Sequence, residues 1–238
     1  IWYFAESRDN EIKHALIKNG SVGLWVDSFN VASPNPTLLM ENVVVENMAA
    51  ASLFAQNAKI TSDNCVFGNA GQYSAALTLG GNYQFRHCTF GNSWSVSNRE
   101  TPAVLLNNWY EDIYGAIQVR DLENAYFGNC IVYGNRTNEV SIDKKSGGQF
   151  NYQFERCLLR VDQSETNTSN TSHFTDVILN EDPKFIDPTA NDFELDEQSP
   201  AINAASISIM NQNLGVLGTD ILGNNRTSDP DLGAYEKQ

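Results

Sequence analysis

The chain has 238 residues, 41% of them hydrophobic and 18% charged, a folded and soluble composition for one large domain or two small ones. Its formal net charge is −14, from 29 acidic and 15 basic residues. That acidity argues against a nucleic-acid partner and against anionic polysaccharides, unless a cation such as Ca²⁺ bridges the charges; neutral glycans meet no such penalty.

The opening residues, Ile1-Trp2-Tyr3-Phe4-Ala5, are apolar. They lack the basic region and cleavage pattern of a signal peptide and resemble the middle of a strand. An export signal is therefore expected upstream of Ile1. No apolar run reaches about 18 residues, so no transmembrane segment is expected.

From Ile12 onward one pattern recurs at roughly 22 residues per copy, a period that marks a solenoid. Its copies centre on Ala15, Val43, Cys65, Cys88, Cys130 and Cys157. Three residues before this centre stand Ile12, Met40, Ser62, Phe85, Phe127 and Phe154. Two residues after it stand Ile17, Val45, Phe67, Phe90, Val132 and Leu159. Alternation of period two on both sides of a kink predicts two short strands, each turning alternate residues inward. A third strand per coil is predicted around Leu24-Trp25-Val26, Leu53-Phe54-Ala55, Ala76-Leu77-Thr78, Val104-Leu105-Leu106 and Val140-Ser141-Ile142. Three strands per coil with β-branched and aromatic cores make a parallel β-helix, not a helical solenoid.

The residues between the strands fit this reading. Asn19, Asn47, Asn69 and Asn92 lie four positions after the centre, as an asparagine ladder would. His14 and His87 occupy the turn position held elsewhere by Asn42, Asn64 and Asn129, so they are expected to be turn residues and not metal ligands. His173 has no partner visible in the sequence. The cysteine spacings of 23, 42 and 27 residues fit no zinc site. A stack of free buried thiols is expected instead.

The gap from Cys88 to Cys130 holds the surplus, which we place at about residues 107–119 as an insertion within one coil. Trp94, Trp109, Tyr110 and Tyr114 cluster there as candidate sugar-stacking residues, with Arg99 and Glu100 nearby. Glu111, Asp112, Arg120 and Asp121 are the candidate catalytic residues, since hydrolysis needs paired carboxylates and a lyase needs a base beside cationic groups. Lys144 and Lys145 beside Asp143 are a further basic candidate. The same aromatics can equally serve as packing, and the same charges as solvated turns.

Residues 1–160 are read as coils. The remainder holds the last coil or coils, a polar loop at 162–171 expected to be mobile, and a C-terminal cap of the same domain. Sequons at Asn135, Asn167, Asn170 and Asn225 arise readily in such turns. Tail carboxylates at Asp182, Asp187, Asp192, Asp220, Asp229 and Asp231 could hold Ca²⁺, but no EF-hand loop is present and turn formation accounts for them.

The tail resembles the C-terminal signature of secreted bacterial right-handed parallel β-helix proteins of the pectate-lyase-like superfamily. The matching pieces are DP-x-F-x-DP at 182–188, DF-x-L with SPAI at 192–202, and D-x-x-G-x-x-R with D-x-GAYE at 220–236. The chain looks most like the uncharacterised cell-surface or lipoprotein members of gut Bacteroidetes. The resemblance implies a right-handed helix of three strands per coil, located outside the cell as part of a larger surface protein. It implies no single activity, because the superfamily includes lyases, hydrolases and binders. The polygalacturonase motif set is absent. The expected function is thus non-catalytic carbohydrate binding or scaffolding, with a polysaccharide lyase or glycoside hydrolase as the alternative.

Overall fold

The structure, a computed structural model, describes residues 1–27, 34–226 and 228–238. Its strands follow one another around a solenoid. Coil 1 holds β1 (Trp2–Tyr3), β2 (Asn10–Lys13) and β3 (Leu16–Lys18). Coil 2 holds β4 (Val22–Val26), β5 (Leu38–Glu41) and β6 (Val44–Glu46). Coil 3 holds β7 (Ala51–Gln56), β8 (Lys59–Asp63) and β9 (Val66–Gly68). Coil 4 holds β10 (Tyr73–Thr78), β11 (Gly81–Arg86) and β12 (Thr89–Asn92). Coil 5 has β13 (Val104–Asn107), an extra hairpin of β14 (Trp109–Glu111) and β15 (Ile117–Val119), then β16 (Leu122–Gly128) and β17 (Ile131–Gly134). Coil 6 holds β18 (Val140–Asp143), β19 (Gln153–Glu155) and β20 (Leu158–Leu159), and a partial coil 7 holds β21 (Phe174–Thr175) and β22 (Ile178–Leu179).

Corresponding strands stack in parallel. Sheet A is β1-β4-β7-β10-β13-β18, sheet B is β2-β5-β8-β11-β16-β19-β21, and sheet C is β3-β6-β9-β12-β17-β20-β22. This is the parallel β-helix of three strands per coil that the repeat predicts.

The core follows the predicted alternation. Inward phenylalanines stack coil upon coil, with ring centroids 5.0 Å apart for Phe67–Phe90, 5.1 Å for Phe85–Phe127 and 4.5 Å for Phe127–Phe154. Offset stacking adds to the apolar burial that drives the fold. Cys65, Cys88, Cys130 and Cys157 are buried free thiols in one column, as expected. Burial pushes the thiols of Cys65 and Cys130 up, so they stay protonated and inert.

The corner between sheets B and C is a single left-handed residue in every coil. His14, Asn42, Asn64, His87, Asn129, Arg156 and Asp176 all have φ between 48° and 56°. Asparagine dominates here because its short amide tolerates that backbone. The expected ladder at Asn19, Asn47, Asn69 and Asn92 is shorter than its sequence. Asn47 donates to Asn19, but Asn69 turns to Pro188 O and Asn191 Oδ1, and Asn92 bonds the backbone of Ala70. The C-terminal segment supplies the partners of Asn69.

That segment contains the antiparallel pair β23 (Phe185–Asp187) and β24 (Asp192–Leu195), and two one-turn helices, α1 (Ile207–Met210) and α2 (Leu214–Leu217). It caps the solenoid along its flank, over the outer face of sheet C. Phe193 packs on Val66, and Leu195, Ala201 and Leu232 pack on Ile131 and Leu158. A Cβ on Gly68 or Gly91 would come within 2.7 or 2.2 Å of the Phe193 ring. The glycine of the repeated C-x-F-G-N motif is therefore needed for this close approach. The D-x-x-G-x-x-R and D-x-GAYE motifs are also structural. Arg226 is buried and bonds Asn64, Thr219 O, Gly233 O and Glu236, while Asp220 accepts the amides of Leu222, Asn224 and Glu236.

The polar loop at 162–171 was expected to be mobile, yet it is bonded to coil 6. Thr166 Oγ1 donates to Val140 O at 2.8 Å, and Asn138 Nδ2 donates to Glu165 at 3.0 Å. It thereby covers part of the exposed edge of β18. Among the described residues no helix is long and apolar enough to cross a membrane.

Candidate functional site

The surplus in coil 5 falls in two places, where the sequence suggests one. Residues 93–103 form a long C-to-A turn ahead of β13, and residues 108–121 form the hairpin at the A-to-B turn behind it. Trp94 and Trp109 consequently stand at opposite ends of β13, and the structure does not gather the four aromatics in one groove.

The turn at 93–103 is held from within. Arg99 is buried, and its guanidinium makes a two-pronged ion pair with fully buried Glu139, at 2.6 and 2.8 Å. Glu139 also accepts the amides of Ala103 and Arg136. Sequence reasoning missed Glu139, and only its position immediately ahead of the strand stretch Val140-Ser141-Ile142 hinted at burial. The Trp94 indole is half-buried and donates to Ser97 at 2.9 Å. Asn135, a sequon residue, spends its amide on Trp94 O and accepts from Arg99.

In the hairpin, Trp109 Nε1 donates to Asp143 Oδ2 at 3.0 Å, and Lys145 Nζ lies 4.6 Å from the ring centroid. One face of this indole is thus taken by a cation. Tyr110 and Tyr114 are exposed, the latter at 88%, next to Ile113 at 91%. Asp112 is spent on the turn: its carboxylate accepts Tyr114 N, Ala116 N and Gln118 Nε2. The Ala116 amide foremost, then Gln118 and Tyr114, hold its carboxyl below the usual range, the reverse of what a general acid needs. Asp121 accepts the amide of Gln149, while Arg120 is exposed and donates to Val119 O. Glu111 is exposed on β14.

A second set of aromatics, unnoticed in the sequence, lies on the outer face of sheet A. Trp2, Trp25 and Phe54 are in register on β1, β4 and β7. Their ring centroids are 5.3 Å (Trp2–Trp25) and 4.9 Å (Trp25–Phe54) apart. Asp27 accepts from both indole N–H groups, at 2.8 and 2.9 Å, and so fixes the two rings together. The row continues through Ala76, Leu105 and Ser141. Two residues further along the successive strands stand Asp27, Gln56, Thr78, Asn107 and Asp143, a polar row on the same face. The strand alternation carried this signal: Trp25 and Phe54 are the bulky residues at outward positions.

Among the described residues no group of three or more His, Cys, Asp or Glu side chains could hold a metal ion. The tail aspartates act in turns: Asp182, Asp187 and Asp192 each accept an amide two or three residues ahead. His173 does have a partner, stacking on Tyr152 at 4.1 Å and bonding Tyr152 O.

The family model for the right-handed beta helix region matches residues 31–178. The chain belongs to this family. The match covers coils 3 to 6 whole and parts of coils 2 and 7, and it fixes the handedness that the sheet order alone leaves unstated. No curated protein matches this β-helix, so its activity must be argued from its own surface.

Proposed function

We propose that this right-handed β-helix binds neutral polysaccharide on the outer face of sheet A and does so without catalysis. The observation that carries this reading is the register-locked ladder of Trp2, Trp25 and Phe54, with Asp27 accepting from both indole N–H groups and the two rings 5.3 Å apart at 35° to each other. Flat aromatic faces stack on the apolar faces of sugar rings, and a fixed pair loses little entropy on binding. The neighbouring row of carboxylates, amides and hydroxyls matches sugar hydroxyls. A polymer can extend along such a face, because a solenoid presents the same positions at each coil. Tyr110 and Tyr114, exposed on the hairpin, extend the aromatic surface at its far end. A place outside the cell, as part of a larger surface protein of the pectate-lyase-like type, agrees with this reading and with the tail motifs.

Affinity electrophoresis through gels cast with glucan, mannan or xylan tests the reading, followed by calorimetry on the best polymer. Trp25→Ala lowers affinity about tenfold, which is ~1.4 kcal/mol. Undiminished binding by a Trp2→Ala/Trp25→Ala double variant refutes the platform. Release of reducing ends, lost in Asp121→Ala, refutes the non-catalytic reading and favours a lyase or hydrolase at the hairpin.

A further inference from the structure

We propose that the C-to-A corner of coils 5 and 6 is a separate site for a sugar unit carrying an oxyanion, either a carboxylate or a sulfate. In a chain with 29 acidic and 15 basic residues, cations have carboxylates in abundance. Arg86, Arg99, Arg156 and Arg226 each take one. Arg136 and Arg160, on neighbouring turns of this corner, enter no ion pair among the described residues, and both are half-buried. Arg120 shares the first trait but stands exposed at the hairpin. A partly desolvated guanidinium without a counter-charge is unfavourable, so a ligand anion gains what the protein withholds.

Both side chains are held in place. Arg160 Nη1 donates to Gly134 O at 2.8 Å, and its guanidinium lies 5.0 Å from the Tyr133 ring centroid. Arg136 Nη1 donates to Arg99 O at 2.9 Å. Arg160 lines an open surface depression of about 600 Å³ with Asp162, Gln163 and Asn180. Arg136 lines an adjoining one of about 290 Å³ beside Trp94, and Thr137 belongs to both. The space far exceeds one inorganic ion. Its lining of amides, hydroxyls and one carboxylate suits a ring with hydroxyls, and the guanidiniums suit the anion on that ring. The global charge that repels polyanions is offset here by two guanidiniums that face one carboxylate, Asp162. None of the sheet A aromatics takes part, so this site and the stacking platform fail or stand separately.

Calorimetry with unsulfated and sulfated chondroitin disaccharides, lactose and inorganic sulfate tests the proposal. Binding of either or both anionic disaccharides, weakened by added salt and absent with lactose, is the expected result, and the sulfated form against the unsulfated one tells sulfate from carboxylate. Arg160→Gln and Arg136→Gln each weaken binding at least tenfold. Arg160→Lys recovers part of it with an unchanged circular dichroism spectrum, and Trp25→Ala and Arg120→Gln leave it intact. Equal binding of lactose, equal affinity for sulfate alone, or indifference to both arginine variants overturns it.

Discussion

Removing the Glu139 carboxylate isolates one interaction that the structure makes large. Its side chain is 0% exposed and that of Arg99 1%. It accepts four hydrogen bonds, two from Arg99 and one each from the Ala103 and Arg136 amides. Glu139→Ala leaves a buried guanidinium charge without its partner, which costs about 3–5 kcal/mol. It also orphans two amides at about 1–3 kcal/mol each, although opening of the 93–103 turn to water returns part of that. A net loss of about 4 kcal/mol is expected. That is a large share of the ~5–15 kcal/mol that stabilises a typical domain. Glu139→Gln keeps one acceptor oxygen but turns an NH2 donor toward one Arg99 N–H and one backbone amide, so it costs nearly as much as the alanine variant. An Arg99→Met/Glu139→Leu double variant removes both charges and recovers most of the loss. Urea unfolding followed by tryptophan fluorescence reports all three. A Glu139→Ala loss under about 1 kcal/mol, or a double variant no better than the single, would refute the reasoning.

Two further outcomes concern the C-terminal flank. Gly91→Ala places a Cβ 2.2 Å from the Phe193 ring, so the ring must leave. Dye binding to newly exposed apolar surface rises, and stability falls toward that of Phe193→Ala, about 3–5 kcal/mol; unchanged dye binding counts against the account. Burial pushes Glu236 up to about 7, and burial raises Asp231 as well. Groups with a raised folded pKa contribute fully below their unfolded value, and that contribution is lost as pH rises through about 7. Burial first, and Arg226 next, lower the pKa of His87, whose contribution is full above its ordinary value of 6.5 and falls away below it. The protection factors of the Gly233 and Ala234 amides, with the intrinsic pH dependence of exchange divided out, should be largest in mildly acidic buffer. Glu236→Gln should flatten the alkaline limb and His87→Asn the acid limb; parallel profiles in variant and parent would sink the assignment.

The coil pattern was legible because inward residues repeat at fixed offsets, and every coil obeys the same alternation. Val43, Cys65 and Phe67 announce their positions by type alone. The tail's path was not legible. Its motifs are turn formers, and nothing in Phe193 says that it lands on Gly68 and Gly91 of distant coils. The two-part insertion was hidden for a related reason: the residues at 93–103 look like any polar turn, and the Arg99–Glu139 pair that orders them joins two coils. The sheet A aromatics were overlooked because Trp25 and Phe54 sit inside predicted strands, where bulky residues are taken for core. Outward exposure is a property of phase within the strand, and one residue of phase decides it.

The three corners of the solenoid differ in what they can hold. The B-to-C corner turns on one left-handed residue per coil, and in the central coils it is bonded to the tail through Asn64, Arg226, Asn129 and Ser206. An insertion there would break both the turn and its cover. Sheet C is overlaid by the tail, and on sheet B Asp63 and Arg86 are bonded by Asn213 and Gln212. The A-to-B and C-to-A corners vary in length from coil to coil, and both long turns of coil 5 fall there, on either side of β13. Sheet A is therefore the face whose surroundings can vary without unseating the core. The aromatic ladder, the exposed hairpin tyrosines, Arg136 and Arg160 all lie on it or at its edges, so the proposed binding groups and structural freedom coincide on one side of this helix.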